Sequence, residues 1–293
     1  MVAKEKILLD TDIGNDIDDA FCLAYLLAQP RCELVGVTTV TGDTQQRAAL
    51  VDALCQAAGR RDVPIVAGRG DVVLSGPGQP QNPQAEVLDR LPHRTGFPTD
   101  AVDFLRETIR KNPGEITLLA IGPMSNIGLL FAVDPQIPSL LKRTVMMIGH
   151  FFKPGAEWNA KVDPFAAALV YRYLSHENLS IGLDVTLKCA LPAADVRAKL
   201  KGPLLEAVGE MAEVWFRNRD RVIFHDPLAA AVIFEPDLCS FKRGRVVVDV
   251  HSRQVEGMTL FREAADGPHQ VAADVDGGRF LSHFFSVLGG GAA

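Results

Sequence analysis

The sequence contains no run of eighteen apolar residues, so no segment reads as a membrane-spanning helix. Its opening, MVAKEKILLD, has neither the long apolar stretch nor the small-residue cleavage site of a secretory signal. Positive charge is also short: 30 Lys and Arg stand against 36 Asp and Glu, and the net charge of -6 argues against a general nucleic-acid binder. No group of His and Cys has the spacing of a zinc cage. The five cysteines, Cys22, Cys32, Cys55, Cys189 and Cys239, are odd in number, scattered and set mostly among apolar residues, which suits reduced core thiols better than disulfides. These absences lead to the expectation of a cytoplasmic protein with no membrane and no nucleic-acid partner.

What is present fits one large globular unit. Hydrophobic residues make up 47% of the 293 positions, enough for a sizeable core. No internal repeat or linker interrupts the chain, so a single domain over residues 1–293 is expected, ending in a disordered tail at 289–293. Apolar runs alternate with helical patterns along most of the length. Strands are expected at 34–40, 63–68, 116–121, 145–149 and 179–185, and helices at 44–58, 101–111 and 203–216. Asp163-Pro164 and Asp226-Pro227 read as helix starts, with each Asp placed to cap. Such alternation indicates an α/β fold: a mainly parallel, Rossmann-like sheet flanked by helices, with its active site at the C-terminal ends of the strands. Segments 246–250 and 271–275 read as antiparallel strands beside that sheet.

The stretch Asp10-Thr11-Asp12-Ile13-Gly14-Asn15-Asp16-Ile17-Asp18-Asp19-Ala20 dominates the rest. It follows an apolar strand, Ile7-Leu8-Leu9, and precedes a helix at 21–27, so its five carboxylates fall where a strand hands over to a helix. Capping and the helix dipole account for one or two of them. Five carboxylates in a partly dry crevice repel one another unless protons or a cation offset the charge. Oxygen-only donors favour Ca²⁺ or Mg²⁺ over zinc. A Gly- and Pro-rich stretch, 71–98, has the length of a functional lid and carries His93, a candidate substrate contact.

Together with this acidic run, four further segments resemble the inosine-uridine preferring nucleoside hydrolases over nearly the whole length. They are Thr38-Thr39-Val40-Thr41-Gly42, the run from Ala120 to Ile127, Glu157-Trp158-Asn159 ahead of Asp163-Pro164, and His225-Asp226-Pro227. The resemblance implies a Ca²⁺-dependent enzyme that hydrolyses the N-glycosidic bond of a ribonucleoside and assembles as a homodimer or homotetramer. It makes Asp12 both a metal ligand and the base that takes a proton from water. Asp19, Asp226 and the Ile121 carbonyl complete the metal set. Asp18, Glu157 and Asn159 grip the ribose, Asn126 shapes the floor, and His225 faces the base and protonates it on departure. Three departures stand out. Asp16 precedes the adjacent pair Asp18-Asp19 and is an alternative ligand. Asp43 replaces a commoner Asn and becomes a candidate contact for ribose or base, with an N-cap as the alternative. No Asn between His150 and Glu157 matches the family's usual one.

Two other readings start from the same residues. Asp10-Thr11-Asp12 also resembles the nucleophile loop of haloacid dehalogenase-like phosphatases, which need a later lysine, for which Lys188 is an isolated candidate. A nucleoside-binding protein without turnover is the other, favoured only by Asp43.

Overall fold

The computed structural model describes residues 4–289. Its strands are β1 (Glu5–Thr11), β2 (Cys32–Thr39), β3 (Ile65–Ala67), β4 (Ile116–Ala120), β5 (Arg143–Met147), β6 (Asn178–Ile181), β7 (Ala190–Pro192), β8 (Arg221–Ile223), β9 (Cys239–Val248), β10 (Thr259–Glu263) and β11 (His269–Val275). The helices are α1 (Asp18–Ala28), α2 (Thr44–Ala57), α3 (Ala101–Lys111), α4 (Ser125–Val133), α5 (Ile137–Leu140), α6 (Trp158–Val162), α7 (Pro164–Tyr173), α8 (Leu183–Thr186), α9 (Ala193–Arg197), α10 (Pro203–Phe216), α11 (His225–Phe234) and α12 (Gly277–Gly289).

Nine strands form one sheet in the order β10-β9-β11-β6-β5-β4-β1-β2-β3. From β11 across to β3 every neighbouring pair is parallel. The central order 3-2-1-4-5-6 is that of a Rossmann sheet, and its direction of winding reverses between β1 and β4. A ligand crevice is expected outside the carboxyl ends of those two strands. Strand β1 is buried on both faces and splits its side chains between them. Ile7 and Leu9 join the core under α1, α2, α10 and α11, whereas Leu8 joins the core under α3, α4 and α7. Truncating a fully buried leucine such as Leu8 to Ala costs about 2–5 kcal/mol.

Three expectations are corrected here. The strands expected at 246–250 and 271–275 correspond to β9 and β11, which do pair antiparallel, but as part of the main sheet rather than beside it: β11 runs parallel to β6, and β9 pairs antiparallel with both β11 and β10. The apolar run at 179–185 is strand only to Ile181, because Gly182 turns the chain into the short helix α8. Gly289 ends α12, and the rest of the expected tail, 290–293, lies outside the described residues. No helix among the described residues is long and apolar enough to cross a membrane. All five cysteines are buried and free.

Candidate active site

The carboxylates converge at the carboxyl ends of β1 and β4. Asp10 and Thr11 still belong to β1, Asp12 stands just past its end, and Asp18 and Asp19 form the first turn of α1. Helix α11 packs against α1 and brings His225 and Asp226 in its own first turn. Two helix N-termini therefore face the same point, where their dipoles favour negative charge. The backbone N–H of Asp226 donates to Asp18 Oδ2 at 3.1 Å, tying the two turns together. Asp18, Asp19 and Asp226 each offer a carboxylate oxygen, and these atoms lie within 4.8 Å of one another. Asp226 is thus a cleft residue inside α11 rather than its cap, which is Phe224.

No lysine, arginine or histidine forms an ion pair with these groups among the described residues. Burial, reinforced by mutual repulsion, pushes the carboxyls of Asp18, Asp19 and Asp226 well above the ordinary range. Burial also raises Asp12, against the favourable field of the Arg47 guanidinium. Asp16, on the rim, is raised to about 6 by burial. Such a set, all oxygen and without an ion-pair partner among the described residues, fits a hard divalent ion.

A cleft of about 540 Å³ opens over the cluster, lined by Asp12, Asp16, Asp18, Asp19, Ile121, Glu157, Asn159, His225 and Asp226 among others. Gly122 lets Asp12 sit deep, because a Cβ there would lie 2.9 Å from Asp12 N and 3.0 Å from its Oδ1. Asn159 Nδ2 donates to the carbonyls of Ile121 at 2.7 Å and Met147 at 3.0 Å. Glu157 caps α6 by accepting from the N–H groups of Asn159 and Ala160, and also accepts from Gly149 N–H. Burial outweighs those bonds and raises Glu157 to about 7. His225 Nδ1 pairs with Thr186 Oγ1 at 2.7 Å, and burial lowers its pKa to about 4, so the ring is neutral at pH 7.

Other expected contacts lie elsewhere. Asn126 sits beneath the cleft and donates to Asp10 Oδ1 at 2.7 Å and Thr39 O at 3.0 Å. Asp10 is itself fully buried, with Oδ2 unpartnered, and burial raises it to about 7. Asp43 does not line the cleft: it is exposed and caps α2, accepting from Gln46 N–H at 3.0 Å. His93 is also outside it, bonded to Leu91 O at 2.8 Å. The lysine wanted by the phosphatase reading, Lys188, is exposed and paired with Asp274 at 2.7 Å. Of the aromatic residues near the end of α10, Trp215 lines the cleft, whereas Phe224 is fully buried and packs on Phe21 and Phe284. A second hollow, of about 600 Å³, beside β3 carries only Arg94 and Asp100 as charged groups.

The sequence reading missed Gln79 and Trp158 as cleft residues and Arg47 as a buried clamp. Gln79 comes from the long loop, where no periodicity marks it. Arg47 is fully buried and donates to the carbonyls of Asp12, Ile13, Thr41, Gln79 and Gln81. The loop is thereby fastened to the acidic segment, and Gln84 Nε2 adds bonds to the carbonyls of Asn15 and Asp16, both at 3.0 Å.

A Rossmann-type sheet with a carboxylate cleft at its switch point describes a class of α/β enzymes. Residues 7–282 match the inosine-uridine preferring nucleoside hydrolases, and the chain belongs to that family. A non-specific ribonucleoside hydrolase (RihC) of Salmonella typhimurium is 32% identical over 305 residues, covering 95% of this chain and 96% of its own. Uridine nucleosidase 1 of Arabidopsis thaliana is 31% identical, covering 84% of this chain and 78% of its own. Among solved structures, a purine-preferring ribonucleoside hydrolase from Gardnerella vaginalis superposes with a TM-score of 0.87 at 25% identity, covering 98% of this chain and 99% of its own. The reaction is hydrolysis of a ribonucleoside to ribose and a free base.

Proposed function

We propose that this hydrolysis depends on Ca²⁺ held by Asp12, Asp19, Asp226 and the Ile121 carbonyl, with Asp16 outside the set. The observation that carries the reading is the buried meeting of Asp18, Asp19 and Asp226, which form no ion pair with a protein cation among the described residues. Bound there, the ion offsets the carboxylate charge and makes water easier to deprotonate. Asp12 accepts the proton as general base. Asp18, fixed by the Asp226 N–H, takes the ribose diol. Asn159 and Glu157, which also line the cleft, hold the sugar in position, which converts binding energy into orientation. The carboxylates stabilise the positive charge that develops on the sugar as the glycosidic bond breaks. The resemblance has His225 protonate the departing base, but burial leaves its ring neutral at pH 7, so its part in this reading is to hydrogen-bond that base.

The relatives' names cover uridine, purine and non-specific activities, so family membership leaves the base open. We assign base contact to the mouth of the cleft, where Trp158, Trp215 and Arg219 stand. We also infer a reducing compartment such as the cytoplasm, because five free thiols share one core, and a homodimer or homotetramer, which sedimentation would check.

The test uses the chelated and the Ca²⁺-restored protein with a nucleoside panel and p-nitrophenyl phosphate. Ribose release restored by Ca²⁺ is expected. Phosphate release would replace the reading with a phosphatase, and neither product would leave a binding protein.

A further inference from the structure

Gln79 lies at the centre of the loop-to-cleft contacts and is 4% exposed. Its Nε2 donates to Asp12 Oδ2 at 2.8 Å, and its Oε1 accepts from Trp158 Nε1 at 2.6 Å. An indole N–H is only a donor and a carboxylate is an acceptor, so the two bonds together fix which way the amide faces. Its main chain is fixed as well. Gln79 O accepts from Arg47 Nη2 at 3.0 Å, and Gly42 leaves it room, since a Cβ there would lie 2.5 Å from that oxygen.

We propose that Gln79 is a positioning residue that holds the Asp12 carboxylate in the rotation its role as base requires, with the Trp158 indole holding Gln79. Oδ2 is pinned by Gln79, and Oδ1 lies where a Cβ on residue 122 would crowd it at 3.0 Å, so Gly122 leaves that rotation open. A carboxylate free to rotate presents its lone pair to water for only part of the time, and misplacement of a catalytic group lowers the rate even where substrate still binds. The bond also has a charged partner in a buried setting, which makes it stronger than a neutral one. The long loop, through Gln79, therefore completes the catalytic geometry.

The proposal rests on Asp12 as base, which Asp12→Asn tests separately. The decisive variant is Gln79→Met, which fills the same space and donates nothing. Measured at saturating Ca²⁺, it is expected to lower kcat about 10- to 100-fold with KM and the Ca²⁺ midpoint within about threefold of wild type. Trp158→Phe, which frees the amide to flip, should lower kcat by less, and the double variant should be no slower than Gln79→Met alone. A second readout needs no turnover. In chelated protein the Trp158 indole N–H, one of two indoles in the chain, should exchange with solvent faster in Gln79→Met than in wild type. A Met variant with kcat within about twofold of wild type, a loss confined to KM, multiplicative losses in the double variant, or unchanged indole exchange would each overturn the proposal.

Discussion

The two ends of the central sheet treat their carboxylates in opposite ways. At the amino end, Glu5 accepts from Lys142 Nζ at 2.6 Å, from Arg143 Nη2 at 3.0 Å and from Thr117 Oγ1. Burial would raise its pKa, but these bonds win and pull it below the usual glutamate value. At the carboxyl end, on the same strand β1 and just beyond it, Asp10 and Asp12 are buried with their pKa values raised. The buried guanidinium of Arg47, beside Asp12, is spent on backbone carbonyls. Glu5 is matched by the protein for stability. The cleft is left unmatched, so its charge must be met by protons or by a ligand.

The largest effect should come from the carboxyl end. Asp12→Asn removes the base and weakens a ligand, and kcat should fall about 100- to 10,000-fold with the fold retained by circular dichroism. A variant that is folded and Ca²⁺-loaded yet keeps more than about a tenth of the rate would assign the base elsewhere.

Chelation sharpens the contrast next. Asp10 and Glu157 titrate near about 7 and Asp16 near about 6, all raised above their unfolded values, so the folded protein binds more protons than the unfolded chain. That contribution is full in acid and is lost as pH rises through the folded values. His225 and His176, both lowered to about 4 by burial, act oppositely, but only below their unfolded value of 6.5. From about pH 6.5 to about pH 8 the carboxylates therefore decide, and the Tm of chelated protein should fall by at least about 3 °C. Ca²⁺ should raise Tm more at the upper end of that window. A Tm that is flat in chelator would break the contrast.

Glu5→Gln probes the other end with a smaller effect. It should cost about 1–3 kcal/mol in denaturant unfolding, since charge-assisted bonds to two cations are lost, while kcat stays unchanged. Stability equal to wild type would mean that the amino-end cluster is merely a solvated surface.

How much of this the sequence reveals depends on how local the signal is. The parallel sheet is legible because strands buried on both faces, such as Ile7 to Leu9 and Ile116 to Ala120, are continuous apolar runs. The acidic loop is legible because its carboxylates are consecutive. The pairing of β11 with β6 is not, since it joins residues far apart in the chain and skips over the hairpin of β9 and β10. Gln79 and Arg47 are hidden for a similar reason. A Gln in a loop of Gly and Pro has no periodic partner, and a buried Arg in α2 looks from its neighbours like a surface residue until the carbonyls it reaches are known.

Asp43 gives the smallest expected effect. The sequence leaves it either as the N-cap of the helix that follows or as a substitution in the site that could govern the choice of base. The structure puts it on the surface at the start of α2, with its carboxylate on the Gln46 N–H at 3.0 Å and outside the cleft lining. Asn and Asp cap helices about equally well, so Asp43→Asn should leave the ratio of kcat/KM for inosine and uridine within about twofold of wild type. Asp43→Ala should cost about 1 kcal/mol of stability, again with the ratio unchanged, because the lost bond belongs to the helix rather than to the substrate. Taking a ratio cancels general losses of stability or metal occupancy. A tenfold shift, about 1.4 kcal/mol of differential transition-state binding, would require the residue to reach a bound base, and so would require α2 to begin differently when substrate is present.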